Sequence, residues 1–266
     1  MNLNLPTLIM TLILLSFGCN HNSGSNTSQH DSNNNTVPTS VPSVDVFRAI
    51  ATAKISLQGT SQWCTGTLIA PNLVVSAAHC FFDDVTRLKS YPPLSVSIRQ
   101  KDGSMSVSYE VSAHGISDYL THDFEDIAWI KLKSDVINAS PIKIATRKDQ
   151  NLELPIGTKT HAFGFSSNAW KERIIEALDP AQTLATPVLK IWEIPTSLEP
   201  KMLGGDSGGP LIIKQNEQWL LLGVLQGEKL YTGKAETSFT SLQAYLADLN
   251  AAGGSSAIQT IEINNY

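Results

Sequence analysis

From Val46 onward the chain alternates short apolar runs with polar or glycine-rich breaks. Ala53-Lys54-Ile55-Ser56-Leu57 alternates strictly, with every second side chain apolar, as a half-buried strand requires. Thr67-Leu68-Ile69, Leu73-Val74-Val75, Val96-Ser97-Ile98, Ile127-Ala128-Trp129-Ile130 and Leu220-Leu221-Leu222-Gly223-Val224-Leu225 continue the series. Each run is short and bounded by turn-forming residues, a pattern that predicts an all-β domain built as a sandwich or barrel. One late segment changes period. Leu242, Tyr245, Leu246 and Leu249 fall at i, i+3, i+4 and i+7, behind Thr240-Ser241-Leu242-Gln243, whose Thr-x-x-Gln spacing reads as a capping box. A single C-terminal helix starting there is predicted. Beyond Gly253-Gly254, the residues Ile258, Ile261 and Ile263 predict a short extended tail.

The N-terminal region is built differently. Leu8 to Leu15 is an apolar run too short to span a bilayer comfortably, and it fits the core of a secretory signal. It ends in Leu15-Ser16-Phe17-Gly18-Cys19, which resembles the bacterial lipoprotein signal and makes Cys19 the candidate for lipidation; ordinary cleaved secretion is the alternative. Asn20 to Ser43 is nearly devoid of large apolar side chains, so it cannot bury enough surface to offset its ordering entropy. Three segments follow: a signal over 1–19, a polar linker over 20–45, and a folded domain over 46–266. The expected location is outside the cytoplasm, either tethered to a membrane through a lipid on Cys19 or released.

Composition narrows the function classes. With 266 residues, 42% of them apolar, the chain can bury a substantial core. Its net charge is −5 and its Lys and Arg residues are scattered, so no basic stripe points to nucleic acid or a membrane surface as partner. Of three cysteines, one closes the signal and two, Cys64 and Cys80, lie close together in the folded part, where an exported compartment permits a disulfide; buried thiols are the alternative. His21, His30, His114, His122 and His161 show no metal-ligand spacing, and no glycine motif cradles a phosphate, so neither a metal nor a cofactor is expected.

The chemistry concentrates in two stretches. Gly204-Gly205-Asp206-Ser207-Gly208-Gly209-Pro210-Leu211 is a turn in which glycines let the backbone approach a ligand closely and expose a serine. A serine nucleophile needs a base to take its proton and N–H groups to stabilise the oxyanion that develops. Trp63-Cys64-Thr65-Gly66-Thr67-Leu68-Ile69-Ala70-Pro71-Asn72-Leu73-Val74-Val75-Ser76-Ala77-Ala78-His79-Cys80 reads as a hairpin ending at a histidine. Val75-Ser76-Ala77-Ala78-His79-Cys80 and Gly205-Asp206-Ser207-Gly208-Gly209-Pro210 are close to the histidine and serine signatures of the chymotrypsin/trypsin family, which the chain from Val46 to Asn250 resembles.

That resemblance implies two packed six-stranded antiparallel β-barrels followed by a C-terminal helix, with the site in the cleft between barrels. It implies a serine endopeptidase acting on proteins or peptides, with Ser207 as nucleophile, His79 as base and an orienting carboxylate between them in the chain. Asp126, directly before the apolar strand Ile127-Ala128-Trp129-Ile130, fits that role, with Asp123 and Glu125 as nearby competitors. Gly205 and Ser207 would supply the N–H donors of the oxyanion hole, and Asp206 would pair with a freed N-terminal amine. The sequence departs from the family at two places. Counting back from Cys64 leads only to Val37-Pro38-Thr39-Ser40-Val41-Pro42, not to the family's Ile-Val-Gly-Gly-like terminus, so either another N-terminus or another partner serves Asp206. Leu203 stands where a cysteine is expected, and Lys201 stands where trypsin-type enzymes select basic residues. A cation there disfavours Arg or Lys at the cleavage site unless the register shifts and Lys201 points to solvent. Gln226, Glu228 and Thr237 would complete the pocket, and Glu228 could neutralise Lys201. The rival readings are an idle relative that only binds, and an esterase or transacylase on the same scaffold.

Overall fold

The computed structural model describes residues 50–83, 89–117, 125–148, 157–166, 169–174, 188–193, 202–231, 234–254 and 257–263. The predicted signal, the linker, Cys19, Asp123 and Lys201 lie outside the described residues.

The first half is a closed antiparallel barrel. Its strands are β1 (Thr52–Leu57), β2 (Trp63–Ala70), β3 (Leu73–Ser76), β4 (Pro93–Ile98), β5 (Tyr109–Ile116) and β6 (Ala128–Leu132). They run in the order β1-β2-β3-β6-β5-β4, and β1 closes the ring by pairing with β4 as well as β2. Alternation in β1 decides which side chains go inside: Ala53, Ile55 and Leu57 are buried while Lys54 and Ser56 are only half-buried. They meet Leu68, Val74, Val96, Ile98, Ile130 and Leu132 in one core. Closure leaves no edge with unpaired backbone groups.

β2 is buried along nearly its whole length because its two faces serve two cores. Leu68 points into the barrel, whereas Ile69 joins Leu73, Val75, Ile144, Ile212, Leu221, Val224, Leu242 and Leu249 in a second core that spans both halves of the molecule. Arg99, just past β4, crosses the same boundary. Its guanidinium lies 5.4 Å from the ring of Phe163 and 5.3 Å from that of Phe165, and burial lowers its pKa.

The second half is a sheet of β8 (Lys159–Gly164), β9 (Ala169–Ile174), β10 (Val188–Glu193), β11 (Pro210–Gln215), β12 (Gln218–Tyr231) and β13 (Lys234–Ser241). All are antiparallel, in the order β10-β13-β12-β11-β8-β9. The end strands β9 and β10 come together, but no ladder joins them among the described residues. Two further strands, β7 (Lys143–Thr146) and β14 (Thr260–Glu262), extend this sheet by parallel pairing of β7 with both β12 and β14. β14 is the tail predicted after Gly254, and the isoleucine that follows it, Ile263, is buried.

The C-terminal helix, α1 (Leu246–Gly253), starts later than the Thr-x-x-Gln pattern predicts. Thr240 and Ser241 stay in β13, and the Thr240 hydroxyl donates to the Asp126 carbonyl at 2.9 Å. The Gln243 side chain grips the Arg147 backbone at both ends, accepting its N–H at 2.7 Å and donating to its C=O at 3.1 Å. The residues that matched a cap are spent on tertiary contacts, and the actual N-cap, Tyr245, makes no side-chain cap bond.

Candidate active site

His79 sits in a short 3-10 turn, Ala78–Phe81, that leaves β3. Ala77 and Ala78 before it are fully buried, which brings the turn hard against the barrel end. A disulfide between Cys64 and Cys80, with Cα atoms 6.2 Å apart, ties that turn to the start of β2.

The histidine is held twice by one carboxylate. Its backbone N–H donates to Asp126 Oδ1 at 2.8 Å, and its ring Nδ1 lies 2.6 Å from Asp126 Oδ2. A carboxylate only accepts, so Nδ1 carries a proton, and in the neutral imidazole Nε2 is then the acceptor. Asp126 is 0% exposed and the His79 side chain is 21% exposed, so the carboxylate is dry and the imidazole reaches the cleft. Among the candidate carboxylates, Glu125 instead uses its backbone carbonyl to accept the Ser117 hydroxyl. Tyr245 lies nearby, and its pKa is raised to about 12 by burial first and then by the charges of Glu125, Asp126 and Asp248, so the phenol stays neutral.

The serine lies in the turn between Met202 and Pro210, where Gly205 has φ +97° and Gly208 has φ +78°. A side chain at Gly208 would collide with the Ser76 hydroxyl and the Thr65 carbonyl, so this turn can only be made with glycine there. The Gly205 and Ser207 N–H groups donate to nothing among the described residues, nor does the Ser207 hydroxyl. Ser207 and His79 face one cleft of about 440 Å3, lined also by Leu57, Ser61, Gln62, Trp63, Phe82, Gly204, Gly205 and the disulfide. Ser207 and His79 therefore share a cavity without a bond between them, and such bonds in candidate active sites commonly tighten only when substrate binds.

Asp206 is fully buried and turned away from the cleft. Its carboxylate accepts the N–H of Ser166 at 2.7 Å and of Leu203 at 2.8 Å, and it occupies the space that a side chain at Gly164 would need.

The remaining expected pocket residues are placed separately. Gln226 is half-buried at a bulge in β12 between Leu225 and Gly227. Glu228 and Thr237 stand opposite each other on β12 and β13. Glu228 accepts the Met202 N–H at 3.0 Å, so it reaches the segment just before the nucleophile. Thr237 is buried, and its hydroxyl has no partner among the described residues. Two residues that sequence reasoning passed over also border the site. Trp63, 37% exposed, walls the cleft with Lys54 Nζ 4.1 Å above its ring, and Thr65 contacts the nucleophile turn.

Comparison with known proteins identifies the family of the chain. The family model described as Trypsin matches residues 47–248. Bovine (Bos taurus) chymotrypsin-C is 26% identical over 212 residues, covering 70% of this chain and 76% of that protein. Tissue-type plasminogen activator of Mus musculus is 27% identical over 195 residues, and that of Sus scrofa 29% over 197; each alignment covers 61% of this chain but only 34% of the relative. The chain thus spans about a third of the plasminogen activators' length. With the family model covering most of the folded part, the chain belongs to the chymotrypsin/trypsin-like family of serine proteases.

Proposed function

We propose that this chain is a serine endopeptidase that hydrolyses peptide bonds through an acyl-enzyme on Ser207. The observation that carries the reading is the double grip of Asp126 on His79 in a cleft shared with Ser207. His79 Nε2 removes the hydroxyl proton as Ser207 Oγ attacks the substrate carbonyl carbon. The oxygen of that carbonyl becomes an oxyanion within reach of the Gly205 and Ser207 N–H groups, each worth about 3 kcal/mol to such a transition state. Asp126 holds the Nδ1–H tautomer and stabilises the imidazolium that forms. His79 then returns the proton to the leaving amine, the C–N bond breaks, and water repeats the sequence on the acyl-enzyme to regenerate Ser207.

The leaving amine takes its proton from His79, so the leaving segment lies on the imidazole side of Ser207. The cleft lining combines Leu57, Trp63, Phe82 and the disulfide with Ser61 and Gln62, so apolar and polar contacts both await the residue after the cleaved bond. On the acyl side the selecting residues are Lys201, Gln226, Glu228 and Thr237. The Cys64–Cys80 disulfide supports action in an oxidising compartment outside the cytoplasm, reached through the predicted signal, with Cys19 as the site of a lipid tether.

A fluorophosphonate probe tests the reading on the purified full chain, followed by a peptide library. Labelling that disappears in Ser207→Ala, together with peptide cleavage, is expected. No Ser207-dependent labelling would return the chain to an idle relative that only binds, and labelling without peptide cleavage would make it an esterase or transacylase. A library preference for Arg or Lys before the cut would remove Lys201 from the pocket.

A further inference from the structure

Thr65 lies on β2, in the half of the molecule opposite the nucleophile, and it is wholly buried. Every polar group it has is committed around Ser207. Its N–H donates to the Ser207 carbonyl at 2.9 Å, and its hydroxyl donates to the Gly205 carbonyl at 2.8 Å. The same hydroxyl oxygen accepts the Phe165 N–H at 3.1 Å, and its carbonyl accepts the Ser76 hydroxyl at 2.7 Å.

The consequence emerges plane by plane along the turn, because the C=O and N–H of a trans peptide point in opposite directions. In the Gly205–Asp206 plane the carbonyl is held by the Thr65 hydroxyl and the N–H donates to the Leu203 carbonyl at 2.9 Å. In the Ser207–Gly208 plane the carbonyl is held by the Thr65 N–H and the N–H donates to the Leu225 carbonyl at 2.8 Å. The plane between them, Asp206–Ser207, has only its carbonyl engaged, by the Gly209 N–H at 2.9 Å. Its N–H is one of the two proposed oxyanion donors. Thr65 thus clamps the planes on both sides of that donor, and its hydroxyl fixes the carbonyl of the glycine that bears the other. Gly205, with φ +97° and no side chain, can rotate once that carbonyl is released.

We infer that the Thr65 hydroxyl is a positioning group for the oxyanion hole, aligning the Gly205 and Ser207 N–H groups from the opposite half of the molecule. The inference rests on the proposed role of Ser207. It does not place Thr65 in contact with substrate. Its signature is a fall in turnover without a matching change in substrate affinity, because the donors act on charge that develops only in the transition state.

The test compares Thr65→Ser, Thr65→Ala and Thr65→Val in the full chain, reading kcat and KM on a peptide cleaved by the unmodified protein, with thermal melting alongside. Thr65→Ser keeps the hydroxyl and is expected to turn over within about threefold of the unmodified chain. Thr65→Val fills the same space without it and is expected to lose about 10- to 100-fold in kcat at nearly constant KM, part of the roughly 100- to 1,000-fold lost when an oxyanion donor is deleted outright. Thr65→Ala leaves room for a water and is expected to fall between; if Thr65→Val does not fold, the serine and alanine variants decide. Unchanged kcat in Thr65→Val, or equal loss in Thr65→Ser and Thr65→Ala, would overturn the role of the hydroxyl. Absence of probe labelling in the unmodified chain would instead overturn the proposed function, and this inference with it.

Discussion

The surroundings of His79 and those of Glu228 and Thr237 are bonded to different degrees. On the first-barrel side His79 is bonded through both its ring and its backbone to one carboxylate, Thr65 has every polar group satisfied, and the turn is stapled by a disulfide. Glu228 and Thr237 stand back from the cleft, and the Thr237 hydroxyl is buried without a partner among the described residues, as are those of Thr52 and Thr67 in the barrel. A group whose alternatives have all been removed by bonding is preorganised, and proton transfer and oxyanion stabilisation demand that. An unsatisfied buried hydroxyl is a standing cost. On the proposed function, the chemistry would rest on the bonded His79 side and selection on the residues around Glu228 and Thr237.

The strongest way to break this contrast is to loosen the bonded His79 side. Asp126→Asn keeps the shape but offers an amide to His79, favouring the wrong tautomer, and kcat at neutral pH should fall about 10,000-fold, as for the equivalent change in a template triad protease. Steady-state kinetics measure it, and a loss under tenfold would mean that the saturated bonding is not catalytic. Replacing both disulfide partners, Cys64→Ala with Cys80→Ala, should lower stability by about 3 kcal/mol, seen in denaturant titration, and slow turnover as the His79 turn loosens. The smallest effect is expected at Thr237. Thr237→Val removes the unpartnered hydroxyl at nearly constant volume and should stabilise the fold by up to about 1 kcal/mol while changing the library profile rather than kcat on the best peptide. Loss of stability there would show that the hydroxyl is not a cost at all.

Much of the site was legible because its signals are local. The glycines flanking Ser207 and the small residues before His79 announce turns that only those side chains permit, and Asp126 stood out from Asp123 and Glu125 by preceding an apolar strand. What could not be read depends on distant partners. Thr65 looks like any strand threonine until Gly205, 140 residues on, is folded against it. Thr240 and Gln243 matched a helix cap by spacing, but Asp126 and Arg147 claimed their side chains, and the helix slipped to Leu246. The second half was harder to foresee for the same reason, since β7 and β14 join it by parallel pairings between segments far apart in the chain.

The division of the triad between halves has a temporal consequence. His79 and Asp126 belong to the barrel that is synthesised first, while Ser207 and the strands that seat it come later. On the proposed function, a chain whose second half is unfolded would hold a base with nothing to activate, and the oxyanion hole would be aligned only once β2 docks against the Ser207 turn. On the same proposal, proteolytic power would appear only once both halves are folded together, which would spare a partly folded chain's own segments.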